Sequence, residues 1–210
     1  MDKNQELRHL TTKIEVRSLE GDENNGDVVE GYALKFEKWS ERLYYFKEII
    51  SRNALEGADM SNVVACFNHK QDYPLARSTV EGDTGKLELS VDNIGLRFKF
   101  KPTATSYAKD LVENIRSGVV NQCSFVFTMD HADESADEWR YNEEDDIYER
   151  RINKFASIRD ISIVTTPAYS DTEAVVGARS KEKVDQLWEA RNKPKQDIEK
   201  MKLELDLLNF

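Results

Sequence analysis

The run Leu87-Glu88-Leu89-Ser90-Val91, the four residues Asp92-Asn93-Ile94-Gly95 and the run Leu96-Arg97-Phe98-Lys99-Phe100 read as two short strands joined by a turn. Apolar and polar side chains alternate in both runs with the period of two that a strand imposes, so one face of the pair is buried and the other is wet. Asp, Asn and Gly between them suit a tight reversal of the chain. A lone hairpin is not stable, so its apolar face predicts further strands or a helix packed over it.

The same texture extends outward from about Ile14 to Val176: short β-branched and aromatic runs punctuated by Gly, Asn and Asp. It predicts an antiparallel β domain with strands near Val28–Phe36, Tyr44–Ile49, Val63–Phe67, Leu87–Val91, Leu96–Phe100, Val119–Phe127, Tyr148–Phe155 and Ile158–Thr165. Helical spacing is confined to a few places. In Ser106–Ser117 the residues Tyr107, Leu111 and Ile115 recur every fourth position, and Gly118 suits the left-handed residue that ends a helix. A shorter helix is expected around Arg52–Glu56. After Arg179 the composition turns to Lys, Glu and Leu, with Val184, Leu187 and Trp188 on one stripe and, past Pro194, Ile198, Met201, Leu205 and Leu208 on another. The expected organisation is a mainly β domain with a few helices (α+β) over residues 1–179, followed by a helical tail over 180–210. Within the domain, residues 130–146 carry nine Asp or Glu and read as a solvated acidic insertion.

Composition narrows the function. The chain has 210 residues, enough for one domain of about 150 to 180 residues with a real core, plus a tail. Lys and Arg total 30 against 40 Asp and Glu, a net charge of -10, which argues against a phosphate backbone as partner. No apolar run reaches the roughly 18 residues needed to cross a bilayer, which argues against a membrane protein. The charged N-terminus lacks a signal-peptide core and there are only two cysteines, so the reading is a reducing cytoplasm. No Gly-rich phosphate loop and no Cys/His spacing suited to zinc occurs, so no cofactor and no metal are expected. The acidic stretch 130–146 could offer oxygen ligands to calcium or magnesium, but its spacing is irregular and lacks the EF-hand pattern.

Acyl transfer needs a nucleophile, a base, a group that orients the base, and donors for the oxyanion. Of the three histidines, His9 lies near the N-terminus and His131 at the start of the acidic stretch, whereas His69 directly follows the apolar run Val63-Val64-Ala65-Cys66-Phe67. A loop histidine without a task is the plain alternative for His69. Ser124 is a small polar residue inside Val119-Val120-Asn121-Gln122-Cys123-Ser124-Phe125-Val126-Phe127, where a hydroxyl needs a partner. Cys123 is an alternative nucleophile, and strand alternation sends the two to opposite faces. Asp160, inside Ile158-Arg159-Asp160-Ile161-Ser162-Ile163-Val164, must be exposed, paired with an arginine such as Arg159, Arg151 or Arg77, or used to orient another group.

In order along the chain, Glu30-Gly31-Tyr32-Ala33, Phe67-Asn68-His69-Lys70, Pro74-Leu75-Ala76-Arg77, Gly95-Leu96, Ile115-Arg116-Ser117-Gly118, Cys123-Ser124-Phe125-Val126-Phe127 and Ile161-Ser162-Ile163-Val164-Thr165-Thr166-Pro167-Ala168-Tyr169 resemble the caudovirus prohead serine proteases. The resemblance covers roughly Val28 to Val176. It implies a compact antiparallel β-barrel flanked by helices, like the herpesvirus assemblin proteases, and a catalytic order of His, Ser and a third residue. His69 falls on the base, Ser124 on the nucleophile and Asp160 on the acidic position that orients the histidine. Lys70 stands where the family often has Asp, and Ala76 where it often has Gly; neither is a proton-transfer group in this scheme. Backbone N–H groups near Ser124 are candidate oxyanion donors, with Arg150 or Arg151 as charged alternatives. The implied activity is a serine endopeptidase acting in the host cytoplasm inside the assembling procapsid. Its implied substrates and partners are the scaffold protein, the scaffolding segment of the major capsid protein, and the protease itself; a homodimer is possible by analogy. The competing expectation is a catalytically silent assembly protein on the same fold.

Overall fold

The computed structural model of the chain describes residues 5–11, 14–17, 27–165 and 178–208. The motif residues Thr166–Tyr169 lie outside them. Twelve strands and two helices are present among the described residues. A five-stranded sheet has the order β1 (Gln5–Thr11), β9 (Gln122–Thr128), β12 (Ser157–Val164), β5 (Val64–Phe67), β6 (Lys70–Arg77). A four-stranded sheet runs β2 (Glu15–Arg17), β3 (Val28–Lys35), β8 (Gly95–Phe100), β7 (Leu87–Val91), and a three-stranded one β10 (Asp137–Asn142), β11 (Ile147–Ile152), β4 (Phe46–Ile50). Helix α1 covers Ser106–Arg116 and α2 covers Ala178–Leu208.

The hairpin β7–β8 forms in the expected register, Leu87 opposite Phe100 and Val91 opposite Leu96. Leu87, Leu96, Phe98 and Phe100 are buried in the main core. Asp92 closes the turn by accepting from the N–H groups of Ile94 and Gly95 at 2.7 and 3.0 Å. A Cβ on Gly95 would lie 1.9 Å from the carbonyl oxygen of Leu34 on β3, so the sheet admits only glycine there. At the end of α1, Gly118 takes φ +78°, the left-handed conformation its sequence position suggests.

The architecture departs from a purely antiparallel barrel. β4 pairs with β11, and β5 with β12, in parallel. Such pairs need crossovers rather than hairpins, and no local pattern announces which distant run a strand will join. Among the described residues the ladders form three sheets and no closed ring; β1 and β6 are outer strands, and beyond β6 there is only the single bridge Arg77–Lys86. Residues 52–57 form consecutive turns instead of the short helix expected.

The acidic stretch is not a solvated insertion throughout. Its second half is strand β10, in which Trp139 and Tyr141 alternate inward against Phe46 and Tyr148. Its carboxylates serve turns and ion pairs: Asp133 accepts from the Ser135 hydroxyl at 2.5 Å, from Lys154 at 2.9 Å and from the Ser135 N–H at 2.9 Å, which holds its carboxyl down at about 2. Two aromatic positions at alternate spacing therefore outweigh nine acids, because the acids all lie where solvent or a cation reaches them.

Helix α2 begins at Ala178, and its first turns pack on the three-stranded sheet. Val184 is fully buried against Phe46 and Tyr148, Trp188 stacks on Tyr45 at 5.5 Å, and the Tyr148 hydroxyl donates to the Leu187 carbonyl at 2.8 Å. Further along, Ile198 and Met201 are exposed.

A buried ionic cluster joins β1, β4, β10, β11 and α2. Arg8 binds Glu48 and, at 2.5 Å, Glu6. Arg150, with no exposed surface, donates to both oxygens of Glu6 at 3.1 Å, to Glu48 at 3.4 Å and to Asp137 at 2.8 Å. Ser180 of α2 donates to Glu6 at 2.8 Å. Burial alone would push the Glu6 carboxyl up, but the Arg150 and Arg8 guanidiniums outweigh it and hold Glu6 well below the usual range.

Candidate active site

Each of the three expected residues is placed by a local feature of its strand. His69 is the second residue of the two-residue turn between β5 and β6, flanked by the pair Phe67–Lys70. Asn68 and His69 both have positive φ, 52° and 56°, as in the primed turns that fit the twist of a hairpin. Asn and His tolerate this region better than most residues, which is the local reason the pair sits here. The turn is tied to the end of β12 at three points: the Asn68 N–H donates to the Ile163 carbonyl at 3.0 Å, the His69 N–H to Ser162 Oγ at 3.1 Å, and the Thr165 N–H to Asn68 Oδ1 at 3.0 Å. The ring therefore stands on a fixed backbone.

Ser124 is on β9, where alternation sends Cys123, Phe125 and Phe127 into the core and Ser124 and Val126 to the other face. The Cys123 thiol is buried and its pKa is pushed far up by that burial, with the charge of Asp160 adding to it, so it stays a protonated core residue. Cys66 behaves likewise, pushed up to about 12 by burial and by the Asp160 charge. The structure thus separates the two nucleophile candidates as strand parity suggested.

Asp160 reaches the same face through a bulge. On β12 the register against β9 shifts between Ile158 and Asp160. Ile158 faces the core opposite Phe127, yet two residues later Asp160 lies opposite Val126, on the other face, and Ile161 and Ile163 return to the core. One extra residue, Arg159, changes the parity of the strand and re-aims the carboxylate. The arginines that could have paired with Asp160 go elsewhere: Arg159 to Asp59, Arg151 to Glu37 and Arg77 to Asn62.

The three side chains meet. Ser124 Oγ lies 2.6 Å from His69 Nε2, and His69 Nδ1 lies 2.7 Å from Asp160 Oδ1. Ser162, opposite Ser124 across the β9–β12 ladder, donates to Asp160 Oδ1 at 2.7 Å while accepting from the His69 N–H. Its role was not visible in the sequence, although a serine in an otherwise apolar strand is the same signal that marked Ser124. Arg150 and Arg151, the suggested charged oxyanion donors, have their guanidiniums committed to carboxylates instead. His131 follows β9 in the turn leading to β10, apart from this relay, with burial lowering its pKa. The side chain of His9 lies outside the described residues. A cleft of about 270 Å³ lies beside the His69 turn, walled by Phe67, Tyr73, Tyr107 and Leu111.

A hydroxyl, an imidazole and a carboxylate bonded in series, two on neighbouring strands and one on a hairpin turn tied to them, is the constellation of serine hydrolases as a class. The family is narrower: residues 12–187 match the caudovirus prohead serine protease, and the chain belongs to that family, whose proteases act in capsid maturation. No curated protein sequence matches the chain. Among solved structures, the capsid assembly protease of bacteriophage T4 is similar at 12% sequence identity and a TM-score of 0.45, over 78% of this chain and 98% of that one. No group of three or more His, Cys, Asp or Glu able to hold a metal occurs among the described residues, and no described helix is long and apolar enough to cross a membrane.

Proposed function

We propose that this chain is a serine endopeptidase of the prohead, with Ser124 as nucleophile, His69 as general base and then general acid, and Asp160 as the group that orients His69. The observation that carries the reading is the continuous relay from Ser124 Oγ through both ring nitrogens of His69 to Asp160 Oδ1, at 2.6 and 2.7 Å. With Nδ1–H donating to Asp160, the lone pair of Nε2 faces the serine hydroxyl. Ser124 Oγ attacks the scissile carbonyl as its proton passes to Nε2, and Asp160 steadies the imidazolium. His69 then protonates the leaving amine, and water, deprotonated by the same nitrogen, resolves the acyl-enzyme. The apolar cleft beside the turn offers a surface for a substrate side chain next to the base.

The substrates in this reading are the scaffold, or the scaffolding segment of the major capsid protein, and the protease itself, cleaved inside the procapsid. A fold related to the herpesvirus proteases belongs to the same reading, as does division into a protease unit up to residue 179 and a helical segment beyond it. Co-expression with the capsid and scaffold genes, followed by intact mass measurement, tests the function. Truncated capsid protein or scaffold with the wild type, and full-length products with Ser124→Ala, is the expected result; identical masses in both would favour an assembly protein without peptidase activity.

Two further results are expected. Ser162→Ala removes the acceptor of the His69 N–H and the donor to Asp160, so kcat should fall about 10- to 100-fold with KM little changed. A larger change in KM than in kcat would contradict this positioning role. The exposed Ile198 and Met201 on α2 suit docking on a scaffold helix or on a second copy. Deleting residues 194–210, beyond the packed turns, should lower the copies of protease per procapsid while peptide hydrolysis by the purified chain is retained. Equal incorporation would reject the docking role.

A further inference from the structure

The nucleophile is not open to a substrate in this conformation. Ser124 has no exposed surface and the His69 side chain is 17% exposed. Ser124 lies on β9 between two strands, and they differ in kind. β12 on one side carries Asp160 and Ser162 and belongs to the relay. Among the described residues, β1 on the other side is an outer strand whose ladder pairs it with β9 alone, over seven residues, with His9 opposite Ser124.

β1 also touches the reacting group. The Ser124 hydroxyl donates to the carbonyl oxygen of Arg8 at 2.9 Å. A hydroxyl has one proton, and here two acceptors compete for it, the Arg8 carbonyl and His69 Nε2. When the proton points to Arg8, the base cannot take it. A second arrangement satisfies every partner: an imidazolium donating from Nδ1 to Asp160 and from Nε2 to Ser124 Oγ, with the hydroxyl proton on Arg8. That arrangement has no free base at all. Both states in which β1 engages Ser124 are unable to begin acylation.

We propose that β1 is an autoinhibitory strand, and that it must leave the edge of β9 before Ser124 can react; this rests on Ser124 being the nucleophile. Its departure breaks one ladder and leaves β9–β12 and the relay in place. It uncovers Ser124 and frees an edge of β9 whose N–H and C=O groups can pair with an extended peptide. The strand is latched by its own side chains. Glu6 and Arg8 enter the buried cluster with Glu48 and Arg150, and Ser180 at the start of α2 holds Glu6. The latch therefore includes the helix that continues to the exposed Ile198 and Met201, so an event on that helix has a direct physical route to β1.

The test is to lock the strand. Gln5 lies opposite Thr128 at the end of the ladder, and neighbouring antiparallel residues are close enough for a disulfide. The full chain carrying Gln5→Cys and Thr128→Cys is prepared oxidised, then reduced, so one protein is its own folding control. Ser124 is probed with a fluorophosphonate, whose phosphorus bonds to Oγ as fluoride leaves and the hydroxyl proton passes to His69; adduct formation is followed by intact mass. Reduction should raise the labelling rate at least about tenfold, to that of the wild type. Equal rates in the two forms, with Ser124 labelled in both, would overturn the autoinhibitory role and leave the serine hydrolase reading standing. Absence of labelling in both forms and in the wild type would remove Ser124 as nucleophile, and the proposal with it.

Discussion

Ser124→Ala is expected to lower peptide hydrolysis by about 10⁶-fold, the order seen when a serine nucleophile of a relay is removed, because no other group can form the acyl-enzyme. The two cysteines cannot substitute. Cys123 faces the core and Cys66 is a buried thiol pushed up to about 12, so neither supplies a thiolate at neutral pH. Folding should survive the change. The hydroxyl is bonded only to His69 and to the Arg8 carbonyl, and an alanine fits the space, so the loss in unfolding free energy should stay within about 1 kcal/mol. Purified wild type and variant are compared by cleavage of the capsid protein and by urea unfolding. Cleavage by a folded Ser124→Ala protein at more than a trace of the wild-type rate would exclude Ser124 as the nucleophile.

The candidate site was legible in the sequence because each residue carried a local anomaly and lay in a motif that resembles the prohead proteases. Ser124 was a hydroxyl in an apolar strand, Asp160 a carboxylate in another, and His69 a histidine directly after a third. Alternation by itself also sends Ser124 and Cys123 to opposite faces. What alternation could not supply was the parity change at Arg159, since a bulge depends on the partner strand and leaves no mark in the strand's own residues. The hairpin β7–β8 was readable because its two strands and turn are contiguous. β1, β6 and β10 were not, because each is rich in charge or contains proline: Glu6 and Arg8 in β1, Pro74 in β6, and Asp137, Glu138 and Arg140 in β10. Their charged side chains are tolerated only because partners arrive from far along the chain. Arg150 meets Glu6 from 144 residues away and Glu48 from 102, and nothing near Arg150 in sequence distinguishes it from the surface arginine beside it.

Arg150→Met is expected to be the most destabilising single change outside the hydrophobic core, at about 3 to 5 kcal/mol near neutral pH, because it removes one partner of a buried pair and strands the other. Glu6 and Glu48 are both almost fully buried, and in the variant they share a single cation, Arg8. In the wild type, burial pushes Glu6 up and Arg150, with Arg8, pulls it down further, so its folded pKa lies below the usual 4.5. A depressed carboxyl contributes stability that is present above 4.5 and lost as pH falls through the folded value, so acid weakens the wild type. Without Arg150 the larger of the two attractive contributions is gone and only Arg8 opposes burial, which moves the folded pKa of Glu6 up. Protonation then relieves a charge that Arg8 alone compensates, and the variant should lose less stability than the wild type, or recover part of it, between neutral and mildly acidic pH. Neutralising Glu6 in the same chain, Glu6→Gln with Arg150→Met, should recover a similar part at neutral pH, since glutamine can still accept from Arg8 and Ser180. Urea unfolding of the four proteins at two pH values measures all of this. A loss below about 1 kcal/mol for Arg150→Met would place the pair in the weak range of exposed ion pairs. Recovery on acidification that is absent in the wild type and absent once Glu6→Gln is added would identify Glu6 as the group whose charge the arginine compensates.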